Sequence, residues 1–310
     1  MRYGVPYRGS KNKIAQWVIS NLPAGDTLID LFAGGCAITH AALLSGKWNH
    51  IAANDIGDAP QLFVDAVHGK YANEKRWISR EDFHRLKDSD PYVSLCWSFG
   101  NNRRDYLYSK EIEPWKKALH YARVFGDTSL LQEFGIDSDG SSKDIKPNNE
   151  EYKRIYSQWL GHQVKHKRLY DLDHLARLEN LERLQNLERL QNLEGLQRLE
   201  GLQRLEGLQI DYRDVQIPSN AVVYADPPYK RTNCTGYKCD FDHESFEKWL
   251  SEVPFMVVVS EYEAPNGCVE VASIKKQSSM GTGNKGGSDI EKLFVQKRFA
   301  EQYKQMMGRF

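Results

Sequence analysis

"LIDLFAGG", Leu28 to Gly35, decides the fold. Apolar residues surround one acid, Asp30, and Gly34-Gly35 close the stretch. Such a run reads as a buried strand giving way to a tight turn. On its amino side, "KIAQWVISNLP" has the spacing of an amphipathic helix and stops before Pro23. On its carboxyl side, "AITHAALLSG" reads as a helix closed by Gly46, and "HIAAND" as a second strand that ends in an acid, Asp55. Strand, glycine turn, helix, strand is the opening of an α/β unit with a parallel sheet.

From about Pro60 to Leu172 the texture changes. This stretch is rich in Trp, Tyr, Arg and Lys, with helical segments and a polar loop, "DSDGSSKDIKPNN". The α/β texture returns at "AVVYADPPY", with a helix at "DHESFEKWLSEV" and a buried strand at "FMVVVS". The last stretch reads as a hairpin around a Gly-rich loop. The pattern predicts an α/β sheet domain built from residues 1–60 and 209–310, with a mainly helical insertion at 61–171. Residues 172–208 form a third segment, in which leucine falls on every third position from Leu172 to Leu208. Its hexapeptide unit runs from "LERLQN" to "LQRLEG". A three-residue step drifts around an α-helix, so a long α-helix would expose many of these leucines. A small solenoid turning at Gly195, Gly201 and Gly207, or a helix broken at those glycines, accounts for it equally well. The segment is either a spacer or a ridge for self-association or a protein partner.

Composition narrows the class. Hydrophobic residues make up 40% of the 310-residue chain, enough for a substantial core, and the formal net charge is zero. A general polyanion binder is therefore not expected, although local basic patches remain open. The five cysteines, Cys36, Cys96, Cys234, Cys239 and Cys268, are scattered and odd in number. They point to a reducing compartment and to no metal site. With no apolar leader and no apolar run of membrane-spanning length, a cytoplasmic protein is expected.

Three stretches carry chemistry. In "VVYADPPYKR", Val222 to Arg231, a buried strand ends in Asp226-Pro227-Pro228-Tyr229. An aromatic amino nitrogen such as adenine's is a poor nucleophile, because its lone pair is delocalised into the ring. Accepting hydrogen bonds from both of its N–H groups localises that pair. Asp226 offers a carboxylate and Pro227 a carbonyl, and Pro228 restricts the conformation of Pro227. Tyr229 offers a flat face for stacking. Alone, the four residues fit a strand-ending turn equally well. In open α/β sheets, however, functional groups gather at the carboxyl ends of strands. In "LIDLFAGG", the glycines let backbone approach a ligand, and the pattern is not GxGxxG, so a dinucleotide is disfavoured. Asp30 is suited to a cationic group such as the amino end of S-adenosylmethionine, and Asp55 to ribose hydroxyls. In "YRGSKNK", Lys11 stands just before a helix.

Taken together, "RGSK", "DLFAGG" and "DPPY", in that order, resemble the Dam-type adenine-specific DNA methyltransferases, phage-borne members included. The resemblance implies a Rossmann-like sheet that binds S-adenosylmethionine, carrying an inserted target-recognition domain. It implies that Tyr7, Lys11, Asp30, Phe32, Gly34, Asp55, Asp211 and Tyr212 line the cofactor pocket. Asp226, Pro227, Pro228 and Tyr229 would hold the target adenine, flipped out of double-stranded DNA. Ser10 and Leu31 depart from the family's usual glycine and proline, and the leucine repeat is not a general family feature. In the insertion, "SFGNNRRDYLYSKEIEPWKK" supplies Asn101, Asn102, Arg103, Arg104, Tyr106 and Tyr108 as DNA-contacting candidates. Asn reads adenine, Arg reads guanine or clamps phosphate, and an aromatic can fill the gap left by a flipped base. Two other readings stay open at this point: a methyltransferase acting on an RNA base or protein glutamine, and a decayed enzyme retained for DNA binding or assembly. Restriction partner, phage protection and gene regulation are compatible with the same chemistry.

Overall fold

The computed structural model describes residues 3–7, 9–132, 205–229, 241–276 and 289–308. The polar loop near residue 140, the leucine repeat before Leu205, Cys234, Cys239 and the late Gly-rich loop lie outside the described residues. The chain divides into two compact units, Met1–Lys70 with Glu194–Phe310, and Tyr71–Leu193.

The first unit is built on a seven-stranded sheet. In chain order its elements are α1 (Ala15–Ser20), β1 (Thr27–Asp30), α2 (Ala37–Ser45), β2 (His50–Asn54) and α3 (Ala59–Val67). After the other unit come β3 (Leu205–Leu208) and β4 (Ala221–Ala225). A helix at His243–Glu252, β5 (Val257–Glu261), β6 (Cys268–Lys276), β7 (Asp289–Gln296) and a helix at Ala300–Met306 complete it. The strand order is β3-β2-β1-β4-β5-β7-β6. The first five strands are mutually parallel, while β7 runs antiparallel to β5 and pairs with β6.

The strands form where the apolar runs fall. All five residues of β5 are buried, as are the last four of β4, because helices cover both faces of a parallel sheet. One core groups Ile29, Val223, Val257, Val259 and Phe294 with Phe246 and Leu250 of the His243–Glu252 helix. That helix starts on Asp242, whose carboxylate accepts from the Ser245 amide at 3.0 Å. Gln296 ties its end to the sheet, donating to the Leu250 and Phe255 carbonyls and accepting from Val257 N. The antiparallel pair matches the expected hairpin.

The tail of the leucine repeat has a different use from a turn-and-stack segment. Leu205–Leu208 pair in parallel with Ile51–Asn54 as the edge strand. Gly207 sits within that strand, where a Cβ would come 3.0 Å from Val64 Cγ2 of α3. It serves close approach of strand and helix rather than a turn.

The second unit, where described, is helical: α4 (Arg80–Leu86), α5 (Pro91–Cys96), α6 (Glu113–Phe125) and α7 (Ser129–Gln132). Ser79 and Asp90 cap α4 and α5 by accepting from backbone amides of their first turns. Trp115 and Phe83 are fully buried here. No helix among the described residues is long and apolar enough to cross a membrane.

Candidate active site at the carboxyl edge of the sheet

The chain runs outward from β1 to β2 to β3 on one side, then returns to place β4 and β5 on the other. The order therefore reverses between β1 and β4, which pair directly along Thr27–Asp30 and Ala221–Tyr224. A crevice at the carboxyl ends of strands is expected at that switch point. Asp30 ends β1 and Asp226 follows β4, so both acids arrive there.

Asp226 meets Lys11, which the sequence placed in the cofactor pocket. The Lys11 ammonium lies 2.8 Å from Asp226 Oδ1 and 3.6 Å from Glu291 Oε1 of β7. It also stands 4.4 Å from the centre of the Tyr229 ring. The Tyr229 hydroxyl donates to Glu291 Oε1, as does Ser260 Oγ at 2.9 Å. Tyr229 is buried, with the Tyr262 ring edge-on at 4.7 Å. Its stacking face is thus shared with the Lys11 ammonium. Burial raises the Asp226 carboxyl above its ordinary value, and Lys11 opposes that rise. Burial also works against the Lys11 charge, but Asp226 and then Glu291 hold its pKa above the ordinary value. Two carboxylates facing one ammonium leave the cluster with surplus negative character. Glu291 and Ser260 were not singled out by sequence. The available signal was one acid two residues before the apolar run "LFV", which is weak.

Pro227 is buried and borders a small cavity also lined by Phe246, Val259, Glu261 and Pro265. Pro228 is half-buried beside it.

The glycine turn is braced on all sides. Asp55, just past β2, accepts from Gly34 N and Gly57 N, each at 2.9 Å. Asn54 donates to the Leu31 and Ile210 carbonyls, stapling the turn to the chain after β3. Its part was not legible in sequence. Gly34 has φ +48°, and a Cβ there would lie 2.9 Å from Tyr7 Cε1, so glycine is needed for both conformation and contact. Tyr7 therefore packs on the turn. Phe32 projects into an aromatic group with Tyr212 at 5.2 Å and Phe241 at 5.7 Å. Asp211 is engaged by Arg213, Nε to Oδ1 and a terminal nitrogen to Oδ2, both at 2.8 Å.

Asp30 is 1% exposed. Its Oδ2 accepts from Thr39 N at 3.1 Å and Thr39 Oγ1 at 2.6 Å, in the first turn of α2. Burial pushes its carboxyl up to about 7, against the pull of Thr39. Its Oδ1 is buried with no hydrogen bond, whereas the buried Asp226 Oδ1 has the Lys11 ammonium at 2.8 Å. Buried acceptors are nearly always satisfied, so Asp30 Oδ1 marks a place where a donor belongs.

In the second unit, the stretch proposed for DNA is a closed loop. Phe99 N donates to Asp105 O and Leu107 N to Trp97 O. Asn102 Oδ1 accepts from the Arg104 and Asp105 amides, and Asn101 donates to Leu95 O at 2.9 Å. Tyr106 and Tyr108 do not face outward, contrary to expectation. They are 5% and 4% exposed. The Tyr106 hydroxyl donates to Ile78 O, and the Tyr108 ring stacks on Trp77. Their bulk is worth more in the unit's core than in water. The loop's outward groups are Phe99 and Arg104, with Asn101, Asn102 and Arg103 half-exposed.

A mostly parallel sheet with its switch point between β1 and β4, a braced glycine turn and two acids at the ends of those adjoining strands fit a Rossmann-like methyltransferase architecture. Residues 7–124 match the family model described as D12 class N6 adenine-specific DNA methyltransferase. Over that stretch the chain is similar to adenine-specific DNA methyltransferases of this class. The matched stretch contains Tyr7, Lys11, Asp30, Phe32, Gly34, Asp55 and the whole Asn101–Tyr108 loop, and ends before Asp211 and Asp226. The match favours adenine in DNA over an RNA base or protein glutamine. No curated protein matches the chain.

Proposed function

We propose that this chain transfers a methyl group from S-adenosylmethionine to the exocyclic amino nitrogen of an adenine turned out of double-stranded DNA. The observation that carries the reading is the pair of carboxylates at the ends of adjoining strands, Asp30 with a buried oxygen that accepts no hydrogen bond and Asp226 held on the Lys11 ammonium. One suits the cofactor's ammonium and the other the substrate's N–H.

The residues present fit the cofactor. Asp30 would meet its amino group, the backbone at Gly34 and the Tyr7 ring would flank it, and Asp55, just past β2, would meet its ribose hydroxyls. Phe32 and Tyr212 would supply apolar surface for its base, with Asp211 and Lys11 nearby in the assignment. When bound, S-adenosylmethionine supplies an electrophilic methyl group on a sulfonium.

The chain's own work is positioning and electrostatics. Asp226 accepts one amino hydrogen and the Pro227 carbonyl the other, drawing the nitrogen's lone pair out of conjugation. Asp226 must be ionised for this, which Lys11 favours against the cost of burial. The nitrogen becomes positive as it forms its new bond, and the Asp226 carboxylate stabilises that charge. The excess proton then passes through Asp226 to water. Base extrusion is required because the amino group in a duplex is paired. Asn101, Asn102, Arg103 and Arg104 are the groups of the second unit offered to DNA, with Tyr106 and Tyr108 supporting them from beneath.

Incubating the protein with labelled S-adenosylmethionine and unmethylated duplex DNA, RNA or protein tests the reading. Label on N6 of adenine in the duplex alone is the expected result, and label on RNA or protein would refute it. Methylome sequencing of expressing cells would then give the target site.

A further inference from the structure

Lys11 occupies two things the substrate needs. Its ammonium is 2.8 Å from the Asp226 oxygen that should accept the adenine N–H, and it stands over the Tyr229 ring at 4.4 Å. Seating a base requires the ammonium to withdraw from both. A buried ammonium cannot withdraw to nothing, since losing its partner carries the full desolvation penalty. One further anion is within reach. Glu291 Oε1 is already 3.6 Å from Lys11 Nζ, and Glu291 is fully buried.

We propose that Glu291 is a positioning residue that acts as the second seat for Lys11, drawing the ammonium off Asp226 and Tyr229 as the adenine arrives. This rests on the functional reading above. The inference follows from the way Glu291 is fixed. β7 presents it between Ile290, 40% exposed, and the buried Leu293–Val295 run, on a strand registered to both β5 and β6. Ser260 and the Tyr229 hydroxyl both donate to its Oε1, so its carboxylate cannot swing away. Glu291 is therefore a fixed anion beside Asp226, with the Lys11 ammonium between the two. Lys11 shuttles by under an ångström of required approach, and the charge of the cluster is unchanged throughout. No bond forms or breaks in this step. Lys11 in its second seat still lies close enough to Asp226 to favour its ionised form, while leaving Oδ1 open.

Glu291→Gln isolates the charge, because the amide oxygen can still accept from Tyr229 and Ser260. With no second anion, Lys11 stays on Asp226. Turnover with tritiated S-adenosylmethionine and unmethylated genomic DNA is measured for the wild type, Glu291→Gln, Lys11→Ala and the double variant, with thermal unfolding as a check on folding. A loss of kcat of about tenfold or more is expected for Glu291→Gln, with cofactor affinity within about threefold. In the Lys11→Ala background the same substitution should leave kcat unchanged or raise it, because there is no ammonium to seat and a repelling charge beside Asp226 is gone. An equal loss in both backgrounds, or no loss in either, overturns the proposal. Should Glu291→Gln fail to fold, Glu291→Asp keeps the charge and withdraws it by one methylene. An intermediate kcat that depends on Lys11 supports the seat, and one that does not depend on Lys11 overturns it. A wild type that methylates no adenine overturns the functional reading and this inference together, a result distinct from an active wild type with multiplicative losses.

Discussion

Lys11 and Asp226, from opposite ends of the chain, form an ion pair of 2.8 Å beside the switch point of the sheet. Under the proposed function, the pair sets the state of the carboxylate that holds the target amino group. Replacing Asp226 with Asn keeps an acceptor oxygen but removes the charge that answers a developing cation. A fall in single-turnover rate of about a hundredfold or more is expected, with cofactor affinity, followed by calorimetry, almost unchanged. A variant that turns over normally would remove Asp226 from the reaction.

Removing the cation has a different signature. In Lys11→Met the burial that raises the Asp226 carboxyl is no longer opposed. The group then needs a higher pH to ionise, so the acid limb of the kcat profile should move upward. Activity at pH 6 should fall by a larger factor than activity at pH 8. A uniform loss at every pH would show that Lys11 does not act through Asp226.

Asp30 makes a stability prediction whose sign is fixed. Its folded carboxyl is raised from 3.8 to about 7, so between those values the folded state holds a proton that the unfolded state has released. Stability from this group is thus greatest at low pH and declines as pH rises toward 7, by at most about 4 kcal/mol. Asp30→Asn should flatten that part of the unfolding-midpoint profile and raise the midpoint at pH 8, while weakening S-adenosylmethionine binding. An unaltered slope would place the titration elsewhere.

Gly34→Ala tests the turn. With φ +48° and Tyr7 Cε1 2.9 Å from the new Cβ, the variant must strain its backbone or push the Tyr7 ring aside. A cost of about 1–3 kcal/mol in unfolding free energy is expected, with weaker cofactor binding. Wild-type values for both would mean the turn relaxes without consequence.

The loop of the second unit separates contact from support. Arg104→Ala should leave the unfolding midpoint in place and reduce the slope of log affinity against log salt by about one. Tyr106→Phe, which loses the bond to Ile78 O, should lower stability by about 1 kcal/mol and leave that slope unchanged. Reversed outcomes would exchange the two roles.

The sequence by itself determined the local grammar. "LIDLFAGG" had to be strand and turn, since its apolar run stops at glycine, and Asp226 had to stand at a strand's end because two prolines follow it. Those are effects of neighbouring residues, and the period of side chains along a strand or helix carries them. What only the tertiary structure decided depends on which strand lies beside which. That Lys11 faces Asp226 follows from how the segment before α1 meets the end of β4. That Glu291 belongs to the site follows from β7 pairing antiparallel between β5 and β6 in one register, where a one-residue slip would have turned it to the other face. Tyr106 and Tyr108 read as surface aromatics among charged neighbours, yet the closure of their loop turned them inward, because burying two rings outweighs exposing them.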